Sequence, residues 1–363
     1  MAGERRVALV PEVVKGLVGR GIDVTVERGA GVASGIADVE YETAGARVAD
    51  ANAAPLQPGD VVLKVRPPAD DEIGRMPRGV ALVSLLDPLG QPARAQRLAE
   101  AGIDAYALEM VPRTTRAQSM DVLSSQANLA GYRAVLEAAQ RLPKVFPMMM
   151  TAAGTIPPAK VLVLGVGVAG LQAIATAKRL GAVVRAFDIR PAVKEQVESL
   201  GAQFVGLALE EAQAEGGYAK EVGEDVHRKE QELLSKFTKD SDVVITTAQV
   251  PGRKAPVLVT RAMVESMQPG SVIIDLASES GGNCELTRNG EEVEHKGVRI
   301  VALPDAPSGA ARNASTVYAR NVVALLELLV KEGKLDPALD DDIVAAVAVT
   351  RGGTVVHPRL VSA

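Results

Sequence analysis

The sequence predicts an α/β protein built from two doubly wound parallel-sheet domains joined by long helices. Along most of its 363 residues, short apolar runs alternate with helical stretches, the order expected when helices cover both faces of a parallel sheet. Hydrophobic residues make up 47% of the chain but aromatic residues only 2%, so the core is aliphatic, as buried parallel strands favour. A chain of this length suits two domains of ordinary size.

The first domain is predicted from residues 1–125, with residues 312–363 returning to it. Its helices are expected at 11–20, which opens on a first-turn proline, and at 92–101, which a glycine closes. In the returning segment, two apolar runs around Gly352–Gly353 predict a hairpin. The strands of this domain are expected at 22–27, 60–65, 80–86 and 104–109.

The second domain is predicted from residues 126–311. Long helices at 124–141 and 313–331 join the two domains, and a Pro- and Met-rich stretch at 143–160 is interpreted as a linker. Six strands separated by helices predict one doubly wound, Rossmann-like sheet. These strands are expected at 161–164, 183–187, 203–207, 242–247, 271–276 and 298–303.

A glycine-rich turn between the first strand and the first helix of the second domain carries the main functional signal. The strand ends at Leu164, and Gly165-Val-Gly167-Val-Ala-Gly170 leads into a helix that Gly181 stops. In this pattern the first glycine permits a tight turn, the second lets the backbone approach a pyrophosphate, and the third lets helix and strand pack closely. The helix N-terminus presents N–H groups to the phosphates. The turn therefore predicts a dinucleotide site.

The acid that ends the next strand predicts which dinucleotide binds. Asp188 lies 18 positions after Gly170, where a carboxylate accepts hydrogen bonds from the adenosine ribose and repels the 2′-phosphate of NADP. We therefore expect NAD(H) rather than NADP(H). Arg190 leaves a second interpretation open, because an arginine can pair with such a phosphate. The segment TTAQVPG at 246–252 either borders the site or is an ordinary turn.

Composition argues against several other classes of function. The formal charge of −5, without a basic run, does not support nucleic-acid binding. A single cysteine, Cys284, excludes a disulfide framework and a multi-thiolate metal site, and the three histidines lack metal-ligand spacing. The uncharged run at 161–177 is interpreted as a strand turning into a helix rather than a membrane span. The charged first residues do not have the pattern of an export signal.

Residues 113–132, RTTRAQSMDVLSSQANLAGY, resemble the NAD(H)-binding component (domain I) of proton-translocating nicotinamide nucleotide transhydrogenase. This segment and GGYAKE are not general features of dinucleotide-binding domains, so the resemblance is specific. It extends over nearly the whole chain. The other stretches that carry it are ERRVALVPEVV (4–14), FPMMMTAAGT (146–155), LGVGVAGLQAIATAKRLGA (164–182), KEQVESLG (194–201), GGYAKE (216–221), PGSVIIDLA (269–277) and VTRGGTVVHP (349–358).

The resemblance implies which residues bind the nucleotide. Arg113, Gln118 and Asp121 would act beside the nicotinamide and its ribose, as the catalytic group. Gly217 and Tyr218 would belong to a mobile loop that closes over the nucleotide. The remaining cofactor-binding residues would be Ser119, Met120, Ser124, Gly165, Gly167, Val168, Gly170, Asp188, Ile189, Arg190 and Gln249.

Two of these assignments rest on the resemblance alone. Composition by itself equally allows residues 113–124 to be a solvated inter-domain loop. It also allows residues 210–232 to be a charged surface segment, because acidic residues outnumber basic ones there.

The resemblance also implies how the protein works. NAD(H) would bind in the cleft between the domains, and hydride would pass between it and NADP(H) on a partner subunit, coupled to proton movement. The chain would form a homodimer. It would be cytoplasmic and attached to the inner face of the cell membrane through a proton-channel subunit and an NADP(H)-binding subunit. No metal and no nucleic acid are expected.

The chain departs from the family pattern at two places. The family begins with a short strand before its first helix, whereas here ERRVALVPE stands almost at the start, so either that strand is absent or the start of the sequence is late, and the edge of the first domain stays open. Gln249 stands where the family has a hydrophobic residue, and this substitution is expected to alter the packing of the nicotinamide.

Two alternatives belong to other classes of function. Alanine dehydrogenase shares this architecture, and Arg6 and Lys64 match its substrate-binding pair. However, no histidine precedes His227, so the proton carrier that amino-acid oxidation needs is missing. Arg6 and Lys64 are therefore expected to be structural ion-pair residues. The second alternative is a non-catalytic NAD(H)-binding module.

Overall fold

The computed structural model describes residues 3–51, 55–206, 224–249 and 253–361. The chain divides into two compact units, Met1–Gln126 with Ser308–Ala363, and Ala127–Pro307. Strands and helices are numbered along the chain. Helix α5 (Val122–Arg141) begins in the first unit and continues into the second.

The first unit contains a five-stranded mixed sheet in the order β18-β17-β5-β4-β3. Strands β3, β4 and β5 are parallel, and β17 and β18 add antiparallel strands beside β5. Its strands are β1 (Thr25–Glu27), β2 (Arg47–Ala49), β3 (Val61–Leu63), β4 (Ala81–Ser84), β5 (Asp104–Ala107), β15 (Val330–Lys331), β16 (Lys334–Leu335), β17 (Ala348–Arg351) and β18 (Thr354–Val355). Its helices are α1 (Pro11–Gly19), α2 (Asp38–Thr43), α3 (Asp70–Arg75), α4 (Pro92–Glu100), α10 (Ala311–Leu329), α11 (Asp342–Val347) and α12 (Pro358–Val361).

The four strands predicted for the first domain are all present, but they do not share one sheet. Strand β1, predicted at 22–27, pairs only with β2, which was not predicted. No strand precedes α1 within the described residues 3–10. The predicted hairpin is confirmed as β17–β18. Gly352 and Gly353 have φ of 55° and 85°, and a two-residue type I′ turn requires positive φ at both positions.

Helix α10 supplies one side of the core of the first unit. Tyr318, Val322, Leu325 and Leu329 recur at helical spacing and are fully buried, so one face of the helix is apolar. The Tyr318 hydroxyl donates to the carbonyl oxygen of Lys64 at 2.7 Å. That bond satisfies the polar end of a buried ring.

Glu109, just after β5, is a carboxyl group held inside the first unit. Its Oε1 accepts hydrogen bonds from the backbone N–H groups of Leu86, at 2.8 Å, and Asp87. Its Oε2 is buried without a hydrogen-bond partner. Burial of this group raises the pKa of Glu109 to about 7, since the charged form loses its hydration.

We expect Glu109 to make the stability of the protein fall as the pH rises. A carboxyl whose pKa is higher in the folded state stabilises the fold fully below its unfolded pKa, near 4.5, and loses that contribution as the pH rises through about 7. The change in melting temperature caused by Glu109→Gln should therefore be more favourable near pH 8 than near pH 5. Thermal unfolding of both proteins at the two pH values measures this, and an equal change at both would contradict it.

The second unit contains a seven-stranded sheet in the order β10-β9-β8-β11-β12-β14-β13. Helix α6 connects β8 to β9, and α7 lies between β9 and β10 along the chain. Helix α8 precedes β11, and α9 lies between β11 and β12. The strands are β6 (Met149–Thr151), β7 (Gly154–Ile156), β8 (Lys160–Leu164), β9 (Val183–Phe187), β10 (Gln203–Phe204), β11 (Val243–Thr246), β12 (Val272–Asp275), β13 (Glu292–His295) and β14 (Val298–Ala302). The helices are α6 (Val168–Arg179), α7 (Lys194–Ser199), α8 (Glu224–Lys239) and α9 (Arg261–Ser266).

The six predicted strands of the second domain are confirmed, and all six are parallel. Their spatial order, 3-2-1-4-5-6 in chain order, is that of a doubly wound sheet. Along β8, Val161 and Val163 pack in one buried cluster and Leu162 and Leu164 in another, so both faces of the sheet are covered. Strand β13 was not predicted, because its charged residues belong to an exposed antiparallel edge.

The stretch at 143–160 is more than the linker that the sequence predicted. It contains the antiparallel hairpin β6–β7, whose residues are all exposed. The run at 161–177 is confirmed as strand β8 turning into helix α6. Among the described residues, no helix combines the length and the apolar character needed to cross a membrane.

Candidate functional site

The glycine-rich turn follows the end of strand β8 in the second unit's sheet, next to strand β11. Strand β8 ends at Leu164, Gly165 follows with φ of 92°, and α6 begins directly after Gly167. On one side β8 pairs with β9 and on the other with β11, so the strand order reverses here. Open α/β sheets bind ligands at the carboxyl ends of the strands on either side of such a reversal. The turn is therefore in the position of a ligand site.

The three glycines of the turn have different surroundings. A Cβ atom on Gly170 would lie 2.0 Å from the carbonyl oxygen of Gly165, and one on Gly165 would lie 2.8 Å from Thr247 Oγ1. A Cβ atom on Gly167 would meet nothing within 4 Å. The chain itself thus requires Gly165 and Gly170. Gly167 leaves open space at the start of α6, where no side chain caps the helix, and this space suits a phosphate.

Thr247 connects the glycine turn to the strand beside it. It follows β11, its backbone N–H donates to the carbonyl oxygen of Leu164 at 2.8 Å, and its Oγ1 donates to that of Gly165 at 2.9 Å. The segment at 246–252 was noted from the sequence, but this residue within it was not singled out. Its position directly after a buried strand was the available signal.

Gly131 on α5 is a second residue that was not predicted from the sequence. A Cβ atom there would lie 2.0 Å from the carbonyl oxygen of Ala169, in the first turn of α6. Helix α5 therefore packs on the start of α6 at a distance that only glycine allows. A lone glycine inside a helical pattern was the only hint in the sequence.

We expect Gly131→Ala to destabilise the protein by about 1–3 kcal/mol, because the added methyl group overpacks this contact. Chemical denaturation of the variant and of the wild type measures the difference. Gly16→Ala is the matched control, since Gly16 lies inside α1 and a Cβ atom there meets nothing within 4 Å. That substitution should stabilise the protein slightly, by about 0.5–1 kcal/mol. Equal effects of the two substitutions would contradict the close packing of α5 on α6.

Asp188, directly after β9, binds the glycine turn in this structure. Its side chain is 7% exposed, and its Oδ2 accepts a hydrogen bond from the N–H of Val166 at 2.7 Å. Both carboxylate oxygens also accept hydrogen bonds from the Arg190 guanidinium at 2.9 Å. Arg190 donates in addition to the carbonyl oxygen of Val166 at 3.1 Å. The hydrogen bond to Asp188 raises the pKa of Arg190.

The pairing of Asp188 with Arg190 bears on the two interpretations of Arg190. The guanidinium lies on the carboxylate, so in this structure it neutralises the acid that was expected to repel a 2′-phosphate. A ribose that binds Asp188 has to share it with Arg190 or displace the guanidinium. Ile189 between them is partly buried against the apolar cluster on one face of the sheet.

The segment expected beside the nicotinamide lies in the first unit and forms a 3₁₀ helix, Thr115–Met120. Arg113, Gln118 and Ser119 are exposed. Met120 is only 6% exposed and belongs to the apolar core, so its side chain acts in packing. The carbonyl oxygen of Ser119 accepts a hydrogen bond from Asn321 Nδ2 on α10 at 2.7 Å, which fixes the position of the segment within the first unit.

Asp121 and Ser124 form the N-terminal cap of α5. Asp121 Oδ1 accepts from the N–H of Ser124 at 2.9 Å, and Asp121 Oδ2 accepts from its Oγ at 2.6 Å. An aspartate before the first turn satisfies a helix N–H in this way. Both side chains thus have a structural role that was not predicted from the sequence.

The other expected site residues are divided between described and undescribed parts of the chain. Gln249 is exposed, and its Nε2 donates to the carbonyl oxygen of Leu276 at 2.8 Å. Val168 is the first residue of α6. Gly217 and Tyr218 lie outside the described residues.

Arg6 and Lys64 have acidic partners inside the first unit. The Arg6 side chain is 3% exposed, and its Nε and Nη2 donate to Glu4 at 2.9 and 2.7 Å, while Nη1 donates to Gln126 at 2.8 Å. Lys64 Nζ pairs with Glu72 at 2.5 Å. The expectation that both are ion-pair residues is confirmed.

Comparison with known proteins identifies the family to which the chain belongs. Residues 1–130 match the family described as alanine dehydrogenase/PNT, N-terminal domain, and residues 134–358 match alanine dehydrogenase/PNT, C-terminal domain. The chain belongs to the alanine dehydrogenase/PNT family. The resemblance drawn from residues 113–132 and the shorter stretches is thereby confirmed.

Within the alanine dehydrogenase/PNT family, this chain is similar over its length to transhydrogenase subunits. It is 51% identical to an NAD(P) transhydrogenase subunit alpha chain of Rhodospirillum rubrum, over 99% of this chain and 96% of the relative. The crystal structure of a transhydrogenase from Sinorhizobium meliloti has a TM-score of 0.86 at 49% identity, covering 99% of this chain and 97% of the other. Alanine dehydrogenase of Bacillus subtilis is 30% identical, over 98% of this chain and 90% of the relative.

Proposed function

We propose that this chain is the NAD(H)-binding subunit of a proton-translocating transhydrogenase. It would pass hydride between NAD(H) bound here and NADP(H) on a partner subunit, coupled to proton movement across the membrane. The observation that carries the proposal is the glycine turn at the strand-order reversal, with open space at Gly167 and Asp188 beside it. The 51% identity to a transhydrogenase alpha subunit over 99% of the chain supports this choice within the family.

The residues of the second unit fit a dinucleotide. The backbone of the turn from Gly165 to Gly170 and the first turn of α6 would hold the pyrophosphate, because unpaired helix N–H groups and the helix dipole attract anions. Asp188 would accept hydrogen bonds from the adenosine ribose once its pairing with Arg190 is shared or broken. Gln249 would border the nicotinamide side.

No residue of this chain has to move a proton in the proposed reaction. The bound nicotinamide supplies or accepts the hydride, and the chain contributes binding and alignment. Arg113 and Gln118, both exposed on the segment before α5, would orient the nicotinamide and its ribose. Asp121 would hold that segment in place as the N-terminal cap of α5. It would also act with Arg113 and Gln118 beside the nicotinamide and its ribose.

The direct test is stopped-flow mixing of this protein and NADH with an NADP-loaded partner domain. Formation of NADPH at a rate that depends on this protein supports the proposal. If the protein binds NADH but no hydride transfer follows, the non-catalytic NAD(H)-binding module is the better description. If NADH does not bind at all, both are wrong.

Alanine dehydrogenase is the rival activity within the family. Arg6 and Lys64 are engaged by Glu4 and Glu72, and no histidine precedes His227. We therefore expect no alanine-dependent reduction of NAD by the chain alone. Such a reduction, measured as the appearance of NADH absorbance, would favour the rival.

A homodimer is part of the proposal. The hairpin β6–β7 and the residue before it expose Met148, Met149, Met150 and Ile156, and Met150 is 80% exposed. Such an exposed apolar group marks an interaction site. Met150→Glu should shift sedimentation from dimer towards monomer at micromolar concentration. An unchanged sedimentation profile would remove the hairpin from the interface.

The proposed location of the protein is the inner face of the cell membrane. The chain itself would be cytoplasmic and attached through the proton-channel subunit and the NADP(H)-binding subunit. Co-purification of a tagged chain with membrane partners tests this, with tagged Met150→Glu as a probe of whether assembly requires the dimer.

A further inference from the structure

We propose that Asn283 is a positioning residue for nucleotide binding in this chain. It lies in the turn after β12, and its side chain is fully buried. Through its side-chain amide it fixes the segment after β11, which in turn holds the glycine turn. The inference rests on the proposed function, because Asn283 would act on the proposed dinucleotide site at the glycine turn.

Asp275, the last residue of β12, brings Asn283 to this position. Asp275 Oδ2 accepts hydrogen bonds from the N–H of Asn283 at 2.8 Å and from Thr287 Oγ1 at 2.6 Å. Gly282 precedes Asn283 with φ of 82°, and a Cβ atom on it would lie 2.9 Å from Asp275 Oδ2. The tight turn therefore requires glycine at 282, and it places Asn283 within hydrogen-bond distance of the segment after β11.

The amide of Asn283 binds that segment at two separate points. Its Oδ1 accepts a hydrogen bond from the N–H of Ala248 at 3.0 Å, and its Nδ2 donates to the carbonyl oxygen of Ala248 at 2.9 Å. The same Nδ2 donates to the carbonyl oxygen of Pro256 at 2.8 Å. One carboxamide thus fixes residues on both sides of 249–255. Only an amide supplies the acceptor and the two donors that these groups need.

Other hydrogen bonds also join the segment after β11 to the turn after β12. The N–H of Ala255 donates to the carbonyl oxygen of Ser280 at 2.8 Å, and Gln249 Nε2 donates to that of Leu276 at 2.8 Å. These bonds involve backbone acceptors that any residue would supply. The pairing at Ala248 is different, because it depends on the identity of residue 283.

Ala248 is the link to the glycine turn. It directly follows Thr247, whose Oγ1 donates to the carbonyl oxygen of Gly165 at 2.9 Å. A Cβ atom on Gly165 would lie 3.0 Å from the Ala248 backbone nitrogen, so the two backbones are in close contact. A shift of Ala248 would therefore move Thr247 and the turn that holds the pyrophosphate. In this way the identity of residue 283 controls the shape of the site without touching the nucleotide.

The test compares NADH binding by the wild type, Asn283→Ala, Asn283→Asp and the control Ser280→Ala. The chain contains no tryptophan, so NADH fluorescence can be titrated against a low protein background. Among the described residues, Ser280 Oγ donates only within its own turn, to the carbonyl oxygen of Ala277 at 3.0 Å. Circular dichroism melting of each protein shows whether it is folded at the titration temperature.

We expect Ser280→Ala to bind NADH as the wild type does, and Asn283→Ala to bind it roughly tenfold more weakly while still folded, because the backbone groups of Ala248 and Pro256 lose the partners that fix this segment. A folded Asn283→Ala protein with wild-type affinity overturns the inference. A wild type that does not bind NADH overturns the proposed function instead, so the two failures are distinguishable.

Asn283→Asp provides a readout that does not depend on the stability of the alanine variant. Near pH 8 its ionised carboxylate faces the carbonyl oxygens of Ala248 and Pro256 and cannot donate, so binding should be weak. Burial next to Asp275 favours the neutral form, and protonation near pH 6 restores one donor. The affinity of this variant should rise towards low pH more than that of the wild type.

Asp275 accepts a hydrogen bond from the N–H of Asn283, Cys284 is the next residue along the chain, and the Lys254 side chain lies beside Gly281. These titratable groups are common to both proteins, so the wild-type pH profile serves as the baseline. An affinity ratio between Asn283→Asp and the wild type that does not change with pH overturns the positioning role. A merely structural substitution would lower stability without producing this pH-dependent recovery of binding.

Discussion

Gly167→Ala is expected to leave the free protein folded and to weaken NADH binding about ten- to hundredfold. A Cβ atom on Gly167 meets nothing within 4 Å of the chain itself, and its φ of −86° is ordinary for any residue. The proposed pyrophosphate, however, would approach the backbone at this point. Overpacking of a close contact costs about 1–3 kcal/mol, and the stated loss of affinity lies within that range, since each 1.4 kcal/mol is about tenfold.

Gly170→Ala is the informative contrast, because it places its methyl group 2.0 Å from the carbonyl oxygen of Gly165. This variant should lose stability as well as binding. The measurements are the melting temperature and an NADH titration for each protein. If Gly167→Ala binds NADH as the wild type does, the pyrophosphate does not lie against this residue and the proposed site is misplaced.

Asp188→Asn is expected to reduce the preference for NADH over NADPH at least about tenfold. The substitution removes the negative charge that is proposed to exclude a 2′-phosphate. It also releases the Arg190 guanidinium from its ion pair, so that the guanidinium can meet that phosphate. Because the two side chains are 7% and 15% exposed, removal of one partner also destabilises the fold, by up to about 3–5 kcal/mol. Titrations with NADH and NADPH, performed well below the melting temperature, give the ratio.

Arg190→Gln is the matched control for Asp188. It keeps the carboxylate and its hydrogen bond from Val166 but removes the cation that shares it. This variant should keep or increase the preference for NADH, because the unneutralised charge repels a 2′-phosphate more strongly. Equal NADH-to-NADPH ratios in the wild type and in both variants would show that this pair does not select the nucleotide.

The sequence predicted the architecture of the second unit better than that of the first. Its six parallel strands are buried on both faces and therefore appear as continuous apolar runs, as in VLVL at 161–164. In the first unit, β1 was recognised as a strand, but its separate pairing with β2 was not. Short, half-exposed strands carry little periodic signal, and their partners are chosen by packing.

The candidate site shows the same division. Gly165, Gly167, Gly170 and Asp188 were predicted because the strand–turn–helix–strand unit is local, and each of its residue types has a mechanical reason. The ion pair between Asp188 and Arg190, by contrast, was not predicted. Both residues were singled out, yet only the packed structure shows that the guanidinium turns back onto the carboxylate.

By itself the sequence determined the α/β class, the position of the glycine turn and the family, since each depends on neighbouring residues or on whole-chain similarity. Only the tertiary structure showed that Gly131 has to admit the start of α6 and that Asn283 holds Ala248, 35 residues away along the chain. Such contacts leave no pattern in a single sequence, because a lone glycine or asparagine acquires its role from whatever the fold packs against it.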